Sequence, residues 1–220
     1  MKSTETLTAA VLAILLTVAV GAASPAHGGE MTANPSGEGG ESSSPPSFLS
    51  GVEGFFKRLG EPERKAAAVS IASSYDPNFN ISSLLGSGAV IYDHGYLWDK
   101  VKSSNTAFKL EAVAGSMVRP DVRMMVSLNM MALYYPPLAV PTGLRPYLEA
   151  GIGVIYTDHR VEGQAYRFLF NPQLGIGTEL KAADGSSYFV AMRLHHISNG
   201  SINSDNQGVN TLLLQLGKYF

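Results

Sequence analysis

Two-residue alternation of apolar and polar positions dominates the chain from about Lys65 onward. In one stretch Leu148, Ala150, Ile152, Val154 and Tyr156 alternate with Tyr147, Glu149, Gly151, Gly153 and Ile155. In the next, Phe168, Phe170, Leu174, Ile176 and Leu180 alternate with Asn171, Gln173, Gly175, Gly177 and Glu179. Upstream, Met124, Val126, Leu128 and Met130 oppose Arg123, Ser127 and Asn129, and Phe108, Leu110, Ala112 and Ala114 oppose Lys109 and Glu111. Side chains along a strand point to opposite faces in turn, so a period of two marks β-structure with one apolar face. Turn-forming residues divide the region into eight such segments, at about 66–74, 83–92, 106–117, 122–134, 145–157, 166–181, 186–198 and 209–220.

A soluble barrel or sandwich alternates as well, in the opposite sense, and periodicity alone does not say which face is outside. Three features favour lipid outside. The segments approach the length of roughly 9–11 residues that crosses a bilayer obliquely. The polar face is rich in glycine and mixed in charge, as a narrow lumen would be. The apolar face is broad and recurs on every strand. The expected fold is all-β, an eight-stranded antiparallel transmembrane β-barrel with a side-chain-filled interior. Lys109, Glu111, Arg123, Glu149, Glu179 and Arg193 are expected to face inward and neutralise one another. Trp98, Tyr134, Tyr135 and Tyr156 suit an interfacial aromatic belt.

The N-terminal residues have a different character. Met1–Lys2, the apolar run Leu7–Val20 and the small-residue stretch Gly21–Ala26 form a signal-peptide layout, with cleavage after Ala23 or Ala26. The expected organisation is a signal peptide over 1–26, a disordered or irregular tether over 27–64 and the outer-membrane barrel over 65–220. The tether is rich in Gly, Ser, Pro and Glu, too poor in apolar surface to offset chain entropy. Phe48–Arg64 forms a short helix or stays irregular. The chain has no cysteine and a formal charge of −2, so it has no disulfide framework and nucleic acid is not its expected partner. Neither H-E-x-x-H nor a phosphate-binding glycine loop occurs, His94 and His159 lack metal-ligand spacing, and no metal or organic cofactor is implied.

Candidate chemistry lies in the last hairpin. Tyr188, Val190, Met192, Leu194, His196 and Ser198 share one parity, so His196 and Ser198 continue the lipid-facing stripe, and His195 points into the lumen. Asn210 opens the apolar stripe of the final strand, Leu212, Leu214 and Leu216. Antiparallel pairing across Asn199–Val209 brings Asn210 to the same rim and face. Both termini of such barrels are periplasmic, so that rim is the outer surface. A His two residues before a Ser can act as base and nucleophile, with a third group fixing the imidazole tautomer. H-x-S alone is a weak signal, and ordinary interfacial polar residues are the plainer alternative.

Three stretches carry a resemblance to a known family: R-P-Y-L-E-A-G-I-G-V (Arg145–Val154), F-N-P-Q-L-G-I-G from Phe170, and H-I-S-N followed by N-Q-G-V-N. Over about Leu144–Phe220 the chain resembles the outer-membrane lipid A 3-O-deacylases of the PagL type. The resemblance implies an eight-stranded barrel, a triad on its outer face, and lipid A of the outer leaflet as partner. It casts His196 as base, Ser198 as nucleophile, Asn206 and Asn199 as oxyanion groups, and Phe170 as an acyl-chain contact. It departs at Asn210, where the family's enzymes have a glutamate. An amide can orient an imidazole without stabilising its charge. Asp205 is an alternative acid if its loop folds back, and loss of activity is a third outcome. The expected function is an outer-membrane serine esterase removing an ester-linked acyl chain from lipid A. The competing reading is a non-enzymatic barrel with a structural or lipid-binding role.

Overall fold

A computed structural model describes residues 61–76, 80–93 and 105–220. The expected signal peptide, most of the tether, His94 and Trp98 lie outside the described residues. Among the described residues nine strands follow one another: β1 Arg64–Ser74, β2 Ser82–Asp93, β3 Thr106–Arg119, β4 Arg123–Tyr134, β5 Leu144–Thr157, β6 Phe168–Phe170, β7 Gln173–Lys181, β8 Ser187–Ile197 and β9 Val209–Tyr219. Every pairing is antiparallel. β1 pairs with both β2 and β9, and β4 with β5, so the sheet closes on itself. β6 and β7 are two halves of one stave. Both keep the same register against β5, as Val154↔Phe170 and Gly151↔Gln173 show. The architecture is a closed, eight-stranded antiparallel transmembrane β-barrel.

The outward face has the apolar character that lipid demands. Val69, Leu84, Leu128, Leu174 and Leu216 each expose more than half of their surface. A soluble domain rarely presents a contiguous apolar surface of that extent, and a closed sheet leaves no unpaired edge to the hydrocarbon.

Inside, the barrel is filled with paired charge. Arg193 is 1% exposed and gives Nη1 to Glu111 Oε2 at 2.6 Å, Nη2 to Gln215 Oε1 at 2.8 Å, and Nε to Glu149 Oε1. Lys109 Nζ completes the set on Glu149 Oε2 at 2.7 Å. Asn129 donates to Glu111, and Asn171 donates to Asn129. Two cations therefore face two carboxylates. A buried charge is tolerated only when it is paired and hydrogen bonded in this way. Toward the end that carries Phe220, Arg64 donates to both Glu179 oxygens at 3.0 Å, and the Tyr135 hydroxyl donates to Glu179 at 2.7 Å. The glycines of the inward face make room for these long side chains. A Cβ on Gly177 would overlap the Tyr147 ring, and one on Gly153 would overlap the Asn129 amide.

Five of the six charged residues expected inside are buried there. Arg123 is not. It opens β4 beside the β3–β4 turn and is exposed, above the level of the lumen. Tyr134 faces outward as expected, but Tyr135, one position on, is turned into the barrel and packs on Tyr147 with ring centroids 5.8 Å apart.

Arg193→Met would leave Glu111 and Glu149 without their main counter-charge. The expected cost is about 3–5 kcal/mol, read as a lower urea midpoint for unfolding from lipid vesicles. A variant as stable as the parent would show that the cluster is not what holds the interior.

Candidate active site

The site lies where β8 and β9 end, opposite the barrel end that carries Phe220. Burial along β8 alternates strictly, with Phe189, Ala191, Arg193 and His195 buried and Tyr188, Val190, Met192, Leu194 and His196 exposed. His196 therefore continues the lipid-facing stripe. It pairs with Asn210 in the β8–β9 register. The two side chains meet, with His196 Nδ1 2.8 Å from Asn210 Oδ1. An amide oxygen only accepts, so this contact requires the proton on Nδ1, and it is the neutral tautomer with that proton that leaves Nε2 its lone pair. Asn210 is itself tethered to β1, its carbonyl accepting from Ser74 Oγ at 3.1 Å and from the Tyr75 N–H at 3.2 Å.

Gly208 bounds the imidazole on another side. A Cβ there would overlap His196 Cε1 and lie 3.1 Å from Nε2. The ring can occupy its place only because position 208 has no side chain.

Ser198 lies one residue beyond β8 and stays in register. The Phe170 N–H donates to Ser198 O at 2.7 Å, and the Ser198 N–H donates to Phe170 O at 3.1 Å. Ser198 is thus in step with His196, two positions on. The expected lipid-facing stripe stops at His196, because Ser198 is buried where the loop beyond β8 begins, and among the described residues its hydroxyl makes no hydrogen bond to the imidazole. Between these rungs the neighbouring stave is interrupted at Asn171–Pro172. The His196 N–H donates to Pro172 O at 3.0 Å, and proline has no N–H with which to return the bond. The Phe170 ring lies under the loop that follows Ser198, where a Cβ on Gly200 would come within 2.9 Å of it.

That loop fixes its own asparagines. Asn206 Oδ1 accepts from the Asn199 N–H at 2.7 Å, which leaves the Asn206 NH₂ as a spare donor. Asn199 has no spare donor. Its N–H is used in that bond, and its Nδ2 donates to Asp205 O at 2.8 Å and Asn203 O at 3.4 Å. Asp205 makes its contacts through its backbone, accepting from Asn199 and Ala165 and donating to Asn203 Oδ1. The imidazole nitrogen that a third member would hold is taken by Asn210. His195 points into the lumen as expected, but among the described residues its Nε2 has no hydrogen-bond partner. His159 lies in the β5–β6 loop beside Asp158, 3.4 Å away.

The family model described as lipid A 3-O-deacylase (PagL) matches residues 87–219. The chain belongs to that family. Among solved structures, this PagL-family chain is similar to the outer-membrane enzyme PagL, at 18% identity over 69% of this chain and 97% of that one, with a TM-score of 0.47. It is also similar to Neisserial surface protein A, at 14% identity over 71% and 93%, with a TM-score of 0.51. A third likeness is to the N-terminal β-barrel domain of Pseudomonas aeruginosa OprF, at 17% identity over 72% and 98%, with a TM-score of 0.44. No curated protein matches the chain.

Gly208→Ala is expected to push the His196 ring out of its place and break its bond to Asn210. Nitrogen-15 chemical shifts of the imidazole, recorded in micelles, should lose the signature of a single hydrogen-bonded Nδ1–H tautomer, with the barrel still folded. Unchanged ring shifts would mean that Gly208 does not constrain the histidine.

Proposed function

We propose that this protein is an outer-membrane serine esterase that removes an ester-linked acyl chain from lipid A, by 3-O-deacylation. Membership of the lipid A 3-O-deacylase family supports the substrate class. The observation that carries the chemistry is the hydrogen bond from His196 Nδ1–H to Asn210 Oδ1, made on the outward face at the rim of the apolar band. A catalytic pair in that position meets a lipid substrate arriving sideways through the leaflet. The barrel stands in the outer membrane after export, with the His196 end at the outer surface.

Ser198 Oγ attacks the ester carbonyl, and its proton passes to His196 Nε2 as the new C–O bond forms. The reaction requires the Ser198 hydroxyl to close on the imidazole, a contact that commonly tightens when substrate binds. The carbonyl oxygen becomes an oxyanion, and the Asn206 NH₂ is the donor available for it. Asn199 contributes by holding Asn206 in place, since its own donors are already used. The intermediate collapses, the C–O bond to the sugar breaks, and the departing alkoxide takes the proton from Nε2. Water then hydrolyses the acyl-serine by the same route in reverse. Phe170 takes the acyl-chain contact in this reading, which its pairing to Ser198 across the rung supports. No step calls for a metal or an organic cofactor.

Asn210 holds the imidazole tautomer but offers no negative charge to the imidazolium that forms. Supplying the charge should speed the reaction, because electrostatic stabilisation in a partly desolvated site is worth several kcal/mol. The alternative of a lipid-binding barrel without activity draws on this neutral third member.

Lipid A from cells expressing the protein should lose one acyl chain by mass spectrometry. Ser198→Ala should restore the full acyl pattern, and Asn210→Glu should raise the turnover by about ten-fold or more. Full acylation with folded protein in the outer membrane would refute the enzyme, and an active Ser198→Ala variant would refute the nucleophile.

A further inference from the structure

The segment Asp205–Gly208 is held from outside its own hairpin. The β5–β6 loop lies against it as a short antiparallel rung. The Ala165 N–H donates to Asp205 O at 2.9 Å, the Gln207 N–H donates to Gly163 O at 2.8 Å, and Gln164 bridges Asn206. Gly163 has φ +73°, and a Cβ there would come within 2.6 Å of the Gln207 side chain, so the turn needs glycine twice over. Gln164 closes the clasp. It is 2% exposed, and its Nε2 donates to Gln207 O at 2.6 Å across 43 residues of sequence.

Asp205–Gly208 also carries two of the site's contacts. Asn206 is fixed by the Asn199 N–H, and Gly208 lies against the imidazole. The hairpin loop contains consecutive left-handed residues, Gly200 and Ser201, and so has few low-energy ways to hold one shape unaided. A buried amide donor beside Asn206 supplies what the loop lacks. Removing it takes away the part-buried bond that ties the Gln207 carbonyl to the β5–β6 loop.

We infer that Gln164 is a positioning residue for the reaction, acting from a different stave by fixing the Asn206 amide where the oxyanion develops. This rests on the oxyanion role proposed for Asn206. A misplacement on the order of 1 Å in a group that meets the reacting atoms can cost about a hundred-fold in rate.

The test compares Gln164→Ala, Asn206→Ala and the double variant in the full, folded protein, with purified lipid A as substrate. Amide exchange of Asn199 is followed by NMR in micelles alongside. Gln164→Ala should lower kcat by about ten-fold or more with KM little changed, and should speed Asn199 exchange by a similar factor while strand amides stay protected. On the Asn206→Ala background, Gln164→Ala should cost nothing further, because both changes act on one group. Gln164→Met keeps the side-chain length without the donor and replaces alanine if that variant does not fold. Unchanged Asn199 exchange, unchanged kcat, or losses that multiply in full would each overturn the inference. If Asn206→Ala is slow and Gln164→Ala is not, only the clasp falls. If Asn206→Ala is as fast as the parent, the oxyanion assignment falls and the clasp with it.

Discussion

Arg193 decides which way β8 faces. Its guanidinium is buried among Glu111, Glu149 and Gln215, which come from three other strands. A slip of one residue along β8 would turn that charge into lipid and send Met192 and Leu194 into the ion cluster. Either error would cost several kcal/mol, since an unpaired charge in a low-dielectric place is among the least tolerated features of a fold. With Arg193 held inside, His196, three positions on, must face out. The lumen cluster therefore sets the geometry of a site it never touches.

Two further constraints finish the site. Register across β8 and β9 sets Asn210 opposite His196, which turns a sequence separation of 14 into a 2.8 Å contact. The loops above the strands then supply what period-two structure cannot. A strand offers a neighbour every second residue on one face, enough for a base and its orienting group. An oxyanion donor must approach from another direction, and the role proposed for Asn206 puts it on a loop clasped by Gln164. The neutral Asn210 marks the chemical difference from a triad with an acid: the geometry of orientation is kept and the charge is absent.

Much of this was legible before any coordinates. The later staves follow from alternation, because inward and outward environments differ sharply there, whereas the small residues of the first two, Ala66–Ala68 and Gly86–Ala89, blur the period and leave turn spacing as the main signal. The outward parity of His196 and its meeting with Asn210 follow from the same rule. Parity misleads near strand ends. Arg123 has the inward parity but lies beyond the lumen, whereas Tyr135 shares the inward parity of Ser127, Asn129, Met131 and Leu133, and it was aromatic character rather than parity that suggested a place in the outer belt. The break at Asn171–Pro172 is visible as a proline within an apolar run, yet the register passes through it unaltered. Gln164 was not legible at all. A loop residue carries no periodic signal, and its role comes from a partner 43 positions away. The donor inventory of Asn199 was equally hidden, because which asparagine holds and which is left free depends on hydrogen bonds that spacing does not encode.

The central claim is that Ser198 is a nucleophile activated by His196. Covalent labelling tests it most directly: the folded protein in lipid vesicles is treated with a long-chain fluorophosphonate, and the modified residue is located by peptide mass spectrometry. The account predicts a single phosphonylated residue, Ser198, with labelling lost when His196 is replaced by alanine. An absence of adduct, or labelling of Ser198 that is indifferent to His196, would contradict it.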